Sequence, residues 1–303
     1  MTKRDLLRIQ DLSREEIDHL IERAGALKAG AKKFRTPPLQ GKILTLLFEK
    51  PSTRTRVSFE AAILSLGGRA IYLSAEHTQL SRGEPIGDTA QILSRYCDGL
   101  ILRTHSHSRL EEFALNSRVP VLNGLTDRFH PCQILADLFT IREVLGNYQE
   151  VRVAYLGDGN NVANSWIEAC GRIGFQLALA FPPGAEADRE VLKETRDLYP
   201  DRIEVFPDPK SAVAGADVVY TDVWISMGQD KDEEQVRQTF AGFQVNAELM
   251  AAAKPGARFM HCLPAHRGWE VTDEVLAGPQ SVVLTQAENR LHFQKALLEM
   301  FIR

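Results

Sequence analysis

Residues 42–68 read KILTLLFEKPSTRTRVSFEAAILSLGG, and the character of the chain changes halfway along. Lys42-Ile-Leu-Thr-Leu-Leu-Phe48 is a short, apolar, partly β-branched run, whereas Val57 to Leu66 repeats with helical periodicity and stops at Gly67-Gly68. Between them, three hydroxyls (Ser52, Thr53, Thr55) and two arginines (Arg54, Arg56) crowd into the point where a strand turns into a helix. Backbone N–H groups at a helix start have no intrahelical partner and lie at the positive end of the helix dipole. Hydroxyls and guanidinium groups added there make an anion site, with phosphate the expected occupant. A helix cap alone requires only one such hydroxyl.

Working outward, the chain has 303 residues, enough for two domains with their own cores, and 44% hydrophobic with 25% charged is an ordinary globular balance. A formal net charge of −4 gives no general attraction to nucleic acid or to an anionic membrane, so any anion must be held locally. No apolar run approaches a membrane span, and MTKRDLLRIQDLSREEI lacks a signal-peptide core, so a cytoplasmic protein is expected. Cys97, Cys132, Cys170 and Cys262 are scattered without a C-x-x-C, which argues for reduced thiols and against a zinc site or disulfide framework.

The organisation is alternating. A helix capped by Ser13 with Glu16 three residues on opens the chain. Strands are expected at 42–49, 70–73, 99–104 and 119–124, then a long helix from His130 to Leu145, then strands at 151–157, 175–181, 203–206, 217–224 and 257–263. This pattern predicts an α/β protein of two parallel-sheet domains. The segment from Glu288 to the end reads as an amphipathic helix packing back on the rest of the molecule.

Parallel sheets present ligands at the carboxyl ends of their strands, and the polar clusters fall there. Arg103 closes the third strand; His130-Pro-Cys-Gln133 opens the long helix; Asp222 precedes Ser226-Met227-Gly228; His261-Cys262-Leu263-Pro264 follows the last strand. Gly157-Asp-Gly159-Asn-Asn161 suggests a dinucleotide turn, but position 162 is Val where the third glycine belongs, so nicotinamide binding is set aside. Asn160 and Asn161 are then candidate ligand amides, although capping the helix suffices for one of them. His105-Ser-His107 has two histidines and no neighbouring carboxylate pair, and is read as a solvated turn without metal. His130 and Gln133 share a helical face, an arrangement that a cap and a surface Gln would also give; Cys262 is either a ligand thiol or a buried structural one.

Taken together and in this order, Ser52-Thr53-Arg54-Thr55, Arg103, His130-Pro-Cys-Gln133, Asp222 with Ser226-Met227-Gly228, and His261-Cys262-Leu263-Pro264 resemble the ornithine carbamoyltransferases over nearly the whole chain. The resemblance implies carbamoyl transfer from carbamoyl phosphate to L-ornithine without metal or organic cofactor. It implies a carbamoyl phosphate-binding domain at 1–146, an ornithine-binding domain at 147–285 and a C-terminal helix at 286–303 returning to the first. By the same resemblance, Ser52, Thr53, Arg54 and Thr55 bind the phosphate. Arg103, His130 and Gln133 hold the carbamoyl end, and Gln79 reaches in from an adjacent subunit of a homotrimer with shared active sites. Cys262, Leu263 and Arg290, the last at the start of the terminal helix, complete the carbamoyl phosphate contacts. Asn161, Asp222, Ser226 and Met227 grip the α-amino and carboxylate groups of ornithine, with Cys262 at its δ-amine. The S-M-G and H-C-L-P signatures separate this pattern from aspartate and putrescine carbamoyltransferases.

Overall fold

The computed structural model describes residues 3–30, 36–226 and 232–302. The chain forms two compact units, Met1–Phe139 with Asn289–Arg303, and Thr140–Glu288. Both are parallel α/β units, as the alternating pattern predicts.

In the first unit the strands are β1 (Ile43–Phe48), β2 (Arg69–Ser74), β3 (Gly99–Arg103) and β4 (Val121–Leu125), in the order β2-β1-β3-β4. Its helices are α1 (Arg14–Lys28), α2 (Thr53–Ser65), α3 (Ile86–Tyr96), α4 (His107–Asn116) and the start of α5 (Pro131–Leu145). β1 is central because Leu44, Leu46 and Leu47 are all buried: both faces are covered, and a run without alternation is what such a strand requires. The Ser13–Glu16 capping box forms at α1.

The second unit has β5 (Arg152–Leu156), β6 (Gln176–Ala180), β7 (Ile203–Phe206), β8 (Val218–Thr221) and β9 (Arg258–His261), in the order β7-β6-β5-β8-β9. Its helices are α6 (Asn161–Ile173), α7 (Arg189–Leu198), α8 (Pro209–Val213), α9 (Glu233–Phe240), α10 (Ala247–Ala251) and α11 (Asp273–Leu276). The turn from β5 into α6 explains its glycine without any dinucleotide. A Cβ on Gly159 would stand 2.2 Å from the backbone nitrogen of Ala187, so only glycine lets the two segments pass.

The last helix, α12, runs Val283–Phe301 and differs from the expectation in two ways. It begins five residues earlier, directly after the Val282 N–H bonds to the Phe259 carbonyl, so it starts where pairing to β9 ends. It is also not amphipathic beyond Glu288, since every residue from Asn289 to Ile302 is buried or half-buried. That stretch belongs to the first unit. Arg23 Nε bonds Glu299 Oε2 at 2.6 Å, Lys28 Nζ bonds Asn289 Oδ1 at 2.8 Å, and Ile302 packs so close to Gly99 that a Cβ there would lie 2.5 Å from it. Among the described residues, no helix is long and apolar enough to cross a membrane.

Candidate active site

The first unit carries the candidate anion-binding cluster. Ser52, extended at the end of the β1 connection, caps α2 by accepting the N–H of Thr55 at 3.3 Å. Thr53 and Arg54 are exposed beside it, while Thr55 is 1% exposed and points inward. There its hydroxyl oxygen accepts Nη2 of Arg290 at 2.6 Å, which leaves the hydroxyl proton to donate elsewhere. Arg290 lies two turns inside α12 instead of at its start, a consequence of the earlier helix origin. Arg56 departs from the cluster. Its Nε bonds Glu60 Oε1 at 3.0 Å and its guanidinium lies 3.7 Å over the Tyr72 ring, because two positions along a helix turn it to another face.

Arg103 ends β3 at a register shift, where Leu102 pairs with Asn123 but Arg103 pairs with Leu125, the kind of irregularity found at strand ends near sites. It is nearly buried, as are His130 and Gln133. His130 precedes Pro131, the first residue of α5, where a proline without N–H costs no hydrogen bond. Burial, and then the neighbouring Arg290 and Arg103 guanidinium groups, hold the His130 imidazole well below its ordinary range, so it is neutral at pH 7. Gln133 donates Nε2 to Asp137 at 2.9 Å, and its Oε1 has no partner among the described residues. A neutral imidazole between two guanidinium groups, with an amide oxygen open beside it, suits a polar neutral group attached to an anion. Gln79 sits apart, exposed on the 3-10 turn that follows the edge strand β2.

The second unit carries an opposite polarity. Asp222, just past β8 and 5% exposed, accepts Asn160 Nδ2 on Oδ2 at 2.8 Å and the Cys262 thiol on Oδ1 at 2.8 Å. Asn160 also caps α6, its Oδ1 accepting the N–H groups of Val162 and Ala163, so one side chain caps the helix and holds Asp222. Behind them the Tyr155 hydroxyl donates to the Asp158 carbonyl at 2.8 Å and lies 3.2 Å from Asn160 Oδ1. Burial, and then Asp222, push the Tyr155 phenol well above its ordinary range, so it stays protonated. Asn161 begins α6 half-buried, and Ser226 is half-buried after Trp224. Met227 and Gly228 lie outside the described residues.

Cys262 and Leu263 follow β9, and Leu263 has φ of 57°, a region uncommon for a residue with a side chain. Of the four thiols, Cys97, Cys132 and Cys170 are buried while Cys262 is half-buried, and none of the four is joined in a disulfide. Burial pushes the Cys132 and Cys170 thiols up to about 12. Ligand atoms of Asp222, His261 and Cys262 lie within 4.8 Å of one another, so these three residue types could hold a divalent ion. Doing so would break the thiol bond to Asp222 and compete with the Leu263 N–H that His261 Nδ1 accepts at 2.8 Å. The His105–His107 turn is solvated at His105, as expected, but not at His107. His107 is buried edge-on to Phe129 at 4.9 Å, with Nδ1 3.2 Å from Thr126 Oγ1, because it is the first residue of α4 and faces the core.

Sequence reasoning passed over Tyr155, and it left Asn160 undecided between cap and ligand. The signal for Asn160 was present in the doubled asparagine; nothing in the strand around Tyr155 distinguishes it from core.

The chain was compared with known proteins. Residues 4–143 match the family model described as aspartate/ornithine carbamoyltransferase, carbamoyl-P binding domain, and residues 149–301 match the Asp/Orn binding domain of the same family. It is 52% identical to the ornithine carbamoyltransferase of Nitrosococcus oceani, covering 100% of this chain and 98% of that protein. It is 50% identical to that of Syntrophus aciditrophicus, over 99% of this chain and 100% of the relative. Among solved structures, ornithine carbamoyltransferase from Pyrococcus furiosus superposes with a TM-score of 0.94 at 50% identity, covering 99% of this chain and 97% of the other. The anabolic enzyme from Campylobacter jejuni superposes with a TM-score of 0.92 at 38% identity, covering 98% of each chain. Matched over both halves and at this identity, the chain belongs to the aspartate/ornithine carbamoyltransferase family.

Proposed function

We propose that the protein transfers the carbamoyl group of carbamoyl phosphate to the δ-amine of L-ornithine, giving L-citrulline and phosphate. The observation that carries this reading is full-length identity of about half to proteins named for that reaction, on a chain whose two units offer opposite polarities. Ser52, Thr53, Arg54 and Thr55 hold the phosphate at the start of α2. The carbamoyl oxygen, where negative charge develops, takes donors from Thr55, Arg103 and His130; removing one donor of this kind costs about 10²–10³ in rate. Neutral His130 supports this assignment, since its N–H can donate without holding a charge in a cationic corner. Gln133 Oε1 accepts from the carbamoyl NH₂, and Arg290 orients the Thr55 hydroxyl.

In the second unit Asp222, Asn161, Ser226 and Met227 hold the α-amino and carboxylate groups, and Cys262 with Leu263 lines the amine end. The neutral δ-amine attacks the carbonyl carbon, a tetrahedral intermediate collapses with cleavage of the bond to the phosphate oxygen, and the departing phosphate takes the amine proton. The chemistry so written uses no metal or organic cofactor. It runs in the biosynthetic direction in the cytoplasm, towards arginine.

The assembly is a homotrimer in which Gln79 serves a neighbouring subunit's site. Support comes from large apolar side chains left exposed around the edge strand: Ile71 on β2 and Val57 and Leu64 on α2. Subunit mixing tests this part: combining Gln79→Ala chains with Arg54→Gly chains restores activity only if sites are shared.

The decisive experiment is a substrate panel at fixed carbamoyl phosphate, comparing ornithine, putrescine, lysine and aspartate by product formation. Ornithine should give the highest kcat/KM and citrulline as product. A higher value for another amine would overturn the assignment.

A further inference from the structure

The acceptor assigned to the carbamoyl NH₂ owes its direction to a residue that the reaction itself does not use. Gln133 stands on the first turn of α5 and is 1% exposed; an amide there can turn either its oxygen or its nitrogen towards a ligand. Asp137, one turn further along the same helical face, decides between the two. It is fully buried, and its Oδ1 accepts Gln133 Nε2 at 2.9 Å. A carboxylate has acceptors only, so turning the amide over would set Gln133 Oε1 against an Asp137 oxygen.

On an exposed helix, a glutamine and an aspartate four residues apart make a minor stabilising contact. Here both are withdrawn from water, and burying a carboxylate costs more than such a contact returns. The bond also leaves Gln133 Oε1 buried with no partner among the described residues. That oxygen is the feature to explain. Thr55, Arg103 and His130, nearly buried in the same unit, supply donors; an amide oxygen held in place adds the acceptor that an NH₂ group requires.

We propose that Asp137 is a positioning residue that sets the specificity for the group donor: by holding the Gln133 amide nitrogen it keeps Oε1 towards the ligand, so that the site selects an acyl phosphate bearing NH₂ over one bearing CH₃. This rests on the reading that Gln133 Oε1 accepts from the carbamoyl NH₂. A methyl group there would leave the oxygen buried and unpaired, and an inverted amide would set NH₂ against NH₂ and lose the preference.

The test uses the full-length protein and two ligands that differ only in that group, carbamoyl phosphate and acetyl phosphate, with inorganic phosphate as the control. The readout is the ratio of the two dissociation constants from titration calorimetry. Wild type should favour carbamoyl phosphate by about tenfold or more, the effect of one hydrogen bond to a buried acceptor. Asp137→Asn keeps the size of the side chain, but its own amide can hold Gln133 either way round. Carbamoyl phosphate should then bind about three- to tenfold more weakly, while acetyl phosphate and inorganic phosphate stay within about twofold. Gln133→Ala should lower the ratio at least as far, and adding Asp137→Asn to it should change the ratio no further. If Asp137→Asn does not fold, selective ¹⁵N-glutamine spectra of the wild type decide. The Gln133 Nε2 resonance, assigned by its loss in Gln133→Ala, should carry one proton shifted downfield and slow to exchange, as for a donor to a buried carboxylate. Unprotected Gln133 amide protons, a folded Asp137→Asn with an unchanged ratio, or equal weakening of all three ligands, the mark of a merely structural role, would each overturn the proposal. Failure of the underlying reading looks different: Gln133→Ala would then leave the ratio at its wild-type value.

Discussion

The polar clusters of the two units are built on opposite electrostatic plans from similar sheets. In the first unit Arg103 and Arg290 are nearly buried around an imidazole kept neutral, and the start of α2 adds a dipole of the same sign. In the second, Asp222 gathers an amide and a thiol, with a protonated Tyr155 behind. The first half is therefore suited to an anion that arrives with its charge, and the second to an ammonium or amine held by a carboxylate. The difference also lies in what supplies the groups: regular helix starts and strand ends in one, and long loops after β8 and β9 in the other. Because the anion-binding cluster and the amine-binding cluster each lie within one unit, one substrate's contacts can be removed without touching the residues that serve the other.

The largest test of that separation is Arg54→Gly. Arg54 is exposed at the helix start and makes no contribution to either core, so the variant should fold with an unfolding temperature close to wild type. It should lose about 2–5 kcal/mol of carbamoyl phosphate binding, the usual loss for a charge-assisted contact of this kind. Titration calorimetry with carbamoyl phosphate measures it; native affinity would break the comparison at its first half.

A smaller effect is expected in the second half. Cys262→Ala removes a donor to Asp222 but no charge, so ornithine KM should rise about tenfold and inorganic phosphate affinity should not change. The wild-type rate should also climb with pH across the neutral range. A δ-amine resembling lysine has a reference pKa of about 10.4 and only its neutral form attacks, whereas His130, already neutral, adds no rise of its own. A flat profile from about pH 6 to 9 would contradict this.

How these halves relate to the sequence differs in the same way. The strand, the turn and the helix around Ser52 were legible because a β-branched run, a cap and a 3.6-residue period are local signals. So were all nine strands at nearly their full extent. The terminal helix was misjudged at its origin because Val282 is held by β9, a contact that no local pattern announces. Arg56 was grouped with Arg54 by proximity in sequence, although on a helix two positions apart means different faces. Tyr155 bears on Asp222 at second hand, through Asn160, and such a role exists only once the chain has folded to bring them together. Asn160, by contrast, could be narrowed to cap or ligand amide from its place before a helix; it caps α6, and its amide nitrogen goes to Asp222.

Protonation gives a third, smaller test. His130 and His107 are both held below the ordinary imidazole range, chiefly by burial, so the folded protein resists binding protons that the unfolded chain takes up. Stability from these groups is complete above the unfolded value of about 6.5 and is lost as the pH falls from there towards the folded values. Scanning calorimetry of the wild type from pH 7.5 to 5 should show a falling unfolding temperature, and His107→Asn should flatten part of the slope. An unchanged slope in that variant would remove His107 from the account.

The smallest expected effect sharpens the first half by contrast. Arg56 shares the turn with Arg54 and carries the same charge, and a cluster of two arginines would have both hold the anion. Its guanidinium is instead engaged by Glu60 and laid over Tyr72, with a side chain still largely exposed, so its ion pair is worth at most about 1 kcal/mol. Arg56→Ala should therefore change carbamoyl phosphate affinity by less than about twofold, in line with the weak interactions of exposed pairs. Added salt should weaken phosphate binding in wild type and variant alike, because screening acts on the Arg54 contact that both retain. Binding titrations of Arg54→Gly and Arg56→Ala side by side, at low and high salt, make the comparison direct. Equal losses in the two variants would mean that the anion recruits both arginines and that the orientation of Arg56 against Tyr72 does not persist when phosphate is bound.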